Sequence, residues 1–292
     1  MKAATFDYVR PASVDEVCRL LADAGEMERK IIAGGQTLVP LMAMRMSRPD
    51  MLIDINDVNG LSEIEDKGDH LVIGGCTRQR TLERSEIISK RLPLLAKAIR
   101  KVGHIQTRNR GTIGGSIVHG DPTAEISMVA LALEASVVLR SVSGEKEVPL
   151  DGFFEAAMVT NIEPDQILTE VRMPVWEGAC IGTGFYETAS RESDYAIVSA
   201  MAQIELAADG TIVKAAVSAG GVAPCPLKLR GVELALKGSK PAELSSALDG
   251  LDEEIDPDTD VHATAGYRSR VARRLITRAI EDAVSEAKNE RD

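Results

Sequence analysis

The sequence predicts an α+β protein of two units, the larger of them split into two lobes. Three observations carry that expectation. The first stretch reads as helix, strand, glycine turn and helix, with the chain turning sharply at Gly34-Gly35. A middle stretch places strands at both ends of a helix-rich segment that holds a second glycine pair, Gly114-Gly115. The last third changes character: two alternating apolar runs flank Asp209-Gly210, a hairpin signal, and helical periodicity follows.

Each element has its own local cause. Ser13 and Glu16 have the spacing of a capping box, and Val14, Val17, Leu20 and Leu21 form the apolar stripe of a helix ending near Gly25. Residues 30–33 make a short strand that enters Gly34-Gly35 directly. Residues 38–44 open a helix in which Pro40 comes early enough to be tolerated, and the strand 51–55 closes the first lobe at about residue 57. The second lobe begins with a strand at 70–75, and a helix over 92–102 precedes Gly103. Residues 105–117 are dense in polar side chains, yet Ile113 and Ile117 mark them as ordered. Asp121-Pro122-Thr123-Ala124-Glu125 is a turn and helix start ahead of the apolar run 126–133, and strands follow at 136–140 and 167–173. Residues 174–184 read as a hinge, with an α+β C-terminal unit from about 178 that carries helices at 227–237 and 268–287.

Composition narrows the function classes. The chain has 292 residues, 44% hydrophobic and 27% charged, in the range of a soluble globular protein. Its longest apolar runs fall far short of the roughly 20 residues of a membrane span, so no integral membrane segment is expected. Residues 1–6 lead directly into mixed polar sequence without a secretory signal, which implies a cytoplasmic protein. A net charge of -11 argues against a partner made of nucleic acid. Cys18, Cys76, Cys180 and Cys225 are scattered, without the paired spacing of zinc or iron–sulfur ligands, so no metal is expected on this chain. The histidines form no general-base constellation with a nucleophile, and no side chain is assigned a catalytic role.

The functional signal lies in Ala33-Gly34-Gly35-Gln36-Thr37 and Thr112-Ile113-Gly114-Gly115-Ser116. Adjacent glycines let backbone approach a ligand closely, and their N–H groups can converge on an anion. A strand, a glycine turn and a helix aim such donors at phosphate. Either pair alone reads as a plain turn or bulge; two in one chain, each beside hydroxyl residues, suggest a diphosphate held from both sides.

These two segments, the Gly120-Asp121-Pro122 turn and Arg191-Glu192-Ser193-Asp194-Tyr195-Ala196 resemble the FAD-binding medium subunit of molybdenum hydroxylases, the group that includes carbon monoxide dehydrogenase and xanthine dehydrogenase. The resemblance covers the whole chain. It implies a two-lobed PCMH-type FAD-binding domain over residues 1–177, with lobes of about 1–57 and 58–177, and a smaller C-terminal domain over 178–292. It implies FAD contacts at Ile32, Ala33, Gly34, Gly35, Gln36, Thr37 and Leu38, and at Thr112, Ile113, Gly114, Gly115 and Ser116. Asp121, Glu125, Leu168, Tyr186 and Tyr195 complete that set. Glu125 matches an acidic position on a ribose or ribityl hydroxyl, Leu168 an apolar contact, and Tyr195 a cover for the flavin; Tyr186 falls near a position that is lysine in some members. Without the resemblance, Glu125 is equally an ordinary helix N-terminal carboxylate, Asp121 a turn residue, and Leu168 and Tyr195 packing residues. Arg108 and Arg110 have either local acids or phosphates as partners.

The implied function is an electron relay. A large partner subunit would hydroxylate the substrate at its molybdenum cofactor, and a small subunit with [2Fe-2S] clusters would pass electrons to this chain, in a dimer of heterotrimers. The cysteine-rich insertion of the benzoyl-CoA reductase branch is missing from this sequence. Two other readings stand beside it: a free-standing flavin oxidoreductase of the same fold, with His104 or His119 as a flavin tether, and a non-catalytic nucleotide-binding subunit.

Overall fold

A computed structural model of the chain describes residues 2–241, 244 and 246–289. Three sheets organise it. The first comprises β1 (Asp7–Val9), β2 (Arg29–Ile32) and β3 (Met51–Asp54), in the order β1-β3-β2 with both pairings parallel. Helices α1 (Val14–Ala22) and α2 (Leu38–Ala43) supply the crossovers. The expected cap of α1 is present: the Ser13 side chain accepts from the Glu16 N–H, and the Glu16 carboxylate accepts from Ala12 N–H at 2.8 Å. Val17, Leu21 and Ile53 form the core beneath this sheet.

The second sheet is antiparallel, in the order β4-β5-β10-β6-β7, from β4 (Ile64–Asp66), β5 (His70–Gly74), β6 (Ser136–Ser141), β7 (Gly144–Pro149) and β10 (Ile167–Pro174). A small ribbon, β8 (Phe154–Ala156) with β9 (Val159–Thr160), lies before β10. Between β5 and β6 run α3 (Gln79–Arg84), α4 (Glu86–Arg91), α5 (Pro93–Ala98), α6 (Ile105–Arg110), α7 (Ile113–His119) and α8 (Glu125–Ala132). The apolar run of α8 has a physical reason. The helix is buried from Ile126 to Ala132 and packs between this lobe and the third sheet, where Ser218 Oγ donates to Met128 O at 3.1 Å.

The third sheet is the antiparallel series β11 (Ile181–Ala189), β12 (Ala196–Leu206), β13 (Ile212–Gly220) and β14 (Leu227–Lys228), with α9 (Arg230–Leu236), α10 (Leu251–Glu254) and α11 (Ala265–Asn289). The hairpin turns at Asp209-Gly210 as expected, with Gly210 at φ 83°. Three expectations are corrected here. Residues 182 and 184 belong to β11 and not to a hinge: a Cβ on Gly182 or Gly184 would lie 2.0 or 1.9 Å from a carbonyl oxygen of α11, so these glycines let the helix lie directly on the strand. Leu227 and Lys228 pair with β13, so the helix expected from 227 begins at Arg230. The helix expected over 92–102 is shorter too: α5 gives way to a 3₁₀ turn at Ile99–Lys101.

Candidate cofactor-binding site

The first glycine segment leaves the end of β2, an edge strand, and turns into α2. Gly35 has φ +70°, a conformation that favours glycine, and its open face is bracketed by Ile32 and Val39. Gly34 meets a different limit. A Cβ there would lie 2.3 Å from Arg110 O and 2.9 Å from Gly111 Cα, so the first segment is pressed against the chain leading into the second. Asn56 Nδ2 anchors the turn by donating to Ala33 O at 2.9 Å, and Gln36 Nε2 donates back to Gly34 O at 3.2 Å.

Five consecutive N–H groups, those of Gly34, Gly35, Gln36, Thr37 and Leu38, find no acceptor among the described residues. The Thr37 side chain makes no capping bond either. Only Gly34 of the five is buried, and a run of free donors between a strand end and a helix start forms a cradle that fits an anion.

The second segment, expected to turn its amides toward an anion, is instead a helix start. Residues 113–116 are the first turns of α7, with Thr112 as N-cap accepting from Gly115 N–H at 3.1 Å. The neighbouring amides are also occupied: Ile113 N donates to Thr77 O, Gly114 N to Gly75 O, and Ser116 N to Thr112 O. A Cβ on Gly114 would lie 2.7 Å from Gly75 O, and one on Gly75 would lie 2.6 Å from Leu168 O. Leu168, Gly75 and Gly114 therefore stack directly on one another. Ser116 Oγ accepts from Gln79 Nε2 at 2.9 Å. The approach to this helix is pinned by Arg108, which donates to Glu83 at 2.9 and 3.2 Å and to the carbonyls of Val102 and Gly103. Arg108 thus has a local acid as its partner.

Asp121 is a buried turn residue whose Oδ1 accepts from the N–H and hydroxyl of Thr123 at 2.7 and 2.8 Å. Glu125 opens α8, and its carboxylate accepts from its own backbone N–H. Burial pushes its carboxyl up to about 7, and the charges of Glu187 and Asp121 act in the same direction. Tyr195, 74% exposed, lies within electrostatic reach of Asp121 and Glu125. Tyr186 does not join them. Its hydroxyl donates to Asp282 at 2.5 Å and Arg278 sits 4.8 Å over its ring, so it faces α11, while the alternation of β11 turns Glu187 toward Glu125.

Three residues at this seam were missed in the sequence: Asn56, Arg78 and Gln79. Arg78 donates to Arg110 O and, at 2.7 Å, to Asn56 Oδ1, while the buried Gln79 leaves its Oε1 without a partner. The available signal was a third glycine pair, Gly74-Gly75, immediately upstream of Thr77-Arg78-Gln79.

Residues 4–176 match the family model described as FAD binding domain in molybdopterin dehydrogenase. The chain belongs to this family. Residues 184–283 match the CO dehydrogenase flavoprotein C-terminal domain. Among curated relatives of this molybdopterin dehydrogenase FAD-binding chain, the 6-hydroxypseudooxynicotine dehydrogenase complex subunit alpha of Paenarthrobacter nicotinovorans is 38% identical, over 99% of this chain and 97% of that one. The carbon monoxide dehydrogenase medium chain of Hydrogenophaga pseudoflava is 34% identical over 95% and 96%. Among solved structures, carbon monoxide dehydrogenase from Hydrogenophaga pseudoflava aligns with a TM-score of 0.93 at 33% identity, covering 98% of this chain and 99% of that chain. Quinoline 2-oxidoreductase from Pseudomonas putida 86 aligns at 0.91 and 31%, over 98% and 99%. This family-level match carries the fold class and the oxidoreductase assignment.

Proposed function

We propose that this chain is the FAD-carrying electron-transfer subunit of a molybdenum-dependent hydroxylase or dehydrogenase. It receives electrons from [2Fe-2S] clusters on a small partner subunit and delivers them to an external acceptor, while a large subunit holds the molybdenum cofactor. The run of unpaired N–H groups from Gly34 to Leu38 carries the reading, because such a cradle suits the diphosphate of FAD. The names of the relatives, medium chains and complex subunits, support a multi-subunit assembly, for which we propose a dimer of heterotrimers.

FAD bound here supplies the redox chemistry of its isoalloxazine. This chain's residues bind and orient. Ile32 to Leu38 hold the diphosphate, with the Thr37 hydroxyl as a further donor. Thr112 to Ser116 and Leu168, packed on one another through Gly75, contribute the contacts from the second lobe. Glu125 accepts from a ribose or ribityl hydroxyl beside Asp121, and the exposed ring of Tyr195 covers the flavin. Tyr186 is left out of this set because its ring and hydroxyl belong to the contact with α11. The FAD-binding domain is assigned to residues 1–177, in lobes of about 1–57 and 58–177, and the C-terminal domain to 178–292; the division falls in the connection between β10 and β11. A cytoplasmic location fits the sequence, and no helix among the described residues is long and apolar enough to cross a membrane.

The test is titration of the apoprotein with FAD. Uptake of one FAD per chain, together with co-purification of a cluster-bearing subunit and a molybdenum subunit, is the expected result. A chain that takes up no FAD overturns the reading.

A further inference from the structure

We infer that Arg78 supplies the positive charge that binds the diphosphate, acting as a clamp across the two lobes. The inference rests on the FAD reading above and adds to it a residue outside both glycine segments. Arg78 lies just before α3, and its backbone forms an isolated bridge with Thr112. Its guanidinium closes a short circuit of contacts around the cradle. One nitrogen donates to Asn56 Oδ1 at 2.7 Å, and Asn56 in turn donates to Ala33 O at 2.9 Å. The other donates to Arg110 O, the atom that would stand 2.3 Å from a Cβ on Gly34. First lobe, second lobe and the approach to α7 thus meet on one side chain, beside the unpaired amides.

Arg78 carries a charge with no local counter-ion, as Arg29, Arg110 and other arginines also do, and among the described residues its guanidinium is the one that bonds residues of both lobes at the cradle. Arg108, Arg172 and Arg268 each have a carboxylate within 4 Å, whereas both partners of Arg78 are neutral and no carboxylate lies that close among the described residues. A guanidinium carries five N–H donors, so two bonds leave capacity for an anion. A diphosphate diester brings two negative charges to a chain whose net charge is already -11, and backbone dipoles alone offset only part of that repulsion. An uncompensated arginine at the cradle meets this requirement, and its fork suits phosphate oxygens in a way that lysine's point charge does not.

The experiment compares wild type, Arg78→Gln and Arg78→Lys by fluorescence titration of the apoproteins with FAD at several salt concentrations. Thermal stabilisation by inorganic pyrophosphate is measured in parallel. Arg78→Gln is expected to weaken FAD binding about 10- to 100-fold, the range for losing a charge-assisted hydrogen bond. It should also flatten the salt dependence of binding and abolish pyrophosphate stabilisation, while Arg78→Lys retains part of each. A neutral strap between the lobes would move melting temperature but not salt dependence, and Gln and Lys would then be equally impaired. Either that pattern or wild-type affinity in Arg78→Gln overturns the inference. Wild-type protein that binds no FAD but is stabilised by pyrophosphate through Arg78 would sink the FAD reading and leave the clamp standing.

Discussion

A methyl group on Gly34 would stand 2.3 Å from the carbonyl oxygen of Arg110, so the first glycine segment meets the chain leading into the second at a contact that admits only a hydrogen atom. This contact fixes the spacing of the lobes. Gly34→Ala must push backbone against backbone, a change of the overpacking kind that costs about 1–3 kcal/mol. The expected outcome is a lower urea midpoint together with at least tenfold weaker FAD binding. Unchanged values in both measurements would show that the seam is looser than described.

The second segment gives a sharper contrast, between adjacent glycines. Gly114 faces Gly75 backbone at 2.7 Å, whereas Gly115 is exposed and its Cβ would meet only the Thr112 hydroxyl at 2.9 Å. Gly115→Ala gains about 1 kcal/mol of helix propensity and strains one capping bond of similar size, so its stability should stay near wild type. Gly114→Ala should lose about 2 kcal/mol or more. Equal effects in paired urea titrations would contradict the asymmetry.

Glu125 predicts a pH dependence. Its folded carboxyl titrates at about 7 against an ordinary 4.5, so the folded chain holds a proton that the unfolded chain has released. The stabilisation is full below 4.5 and declines as pH rises through about 7. In the apoprotein, Glu125→Gln should therefore flatten the fall in melting temperature between pH 5 and pH 8. A wild-type slope in the variant would remove Glu125 as its source.

Arg108 and Glu83 form an ion pair with side chains only 10% and 13% exposed. Arg108→Ala should cost about 3 kcal/mol, since it leaves Glu83 with Arg80 alone and frees the carbonyls of Val102 and Gly103. The hydrogen bond from Arg108 holds the Glu83 carboxyl below its ordinary value. The pair's stability is thus present above that ordinary value and lost as pH falls through the lowered one. Acid unfolding should begin at higher pH in the variant, as followed by circular dichroism, and an unshifted acid limb would count against the pair.

The sequence revealed what local chemistry controls. The cap at Ser13, the Asp209-Gly210 turn and the Gly34-Gly35 turn each depend on residues a few positions apart, and each was readable. The second glycine segment was visible as a motif but not as a helix start, because the acceptors for its amides, Gly75 O and Thr77 O, lie nearly 40 residues upstream. The partners of Tyr186, Asp282 and Arg278 of α11, were not legible for a related reason. Strand alternation assigns neighbours to opposite sides but cannot say which side meets α11. Arg78 escaped notice because its significance lies in bonding residues of both lobes at the cradle, a property that only the folded chain possesses.

The difference between the two glycine segments has a consequence for isotope exchange. Amide protons at 113, 114, 115 and 116 are held by acceptors and exchange only when that part of the chain opens, whereas those from 34 to 38 have no such protection in the empty protein. Deuterium uptake by the peptide spanning Gly34 to Leu38 would therefore read out occupancy directly, with residues 113–116 of the same molecule as its internal clock.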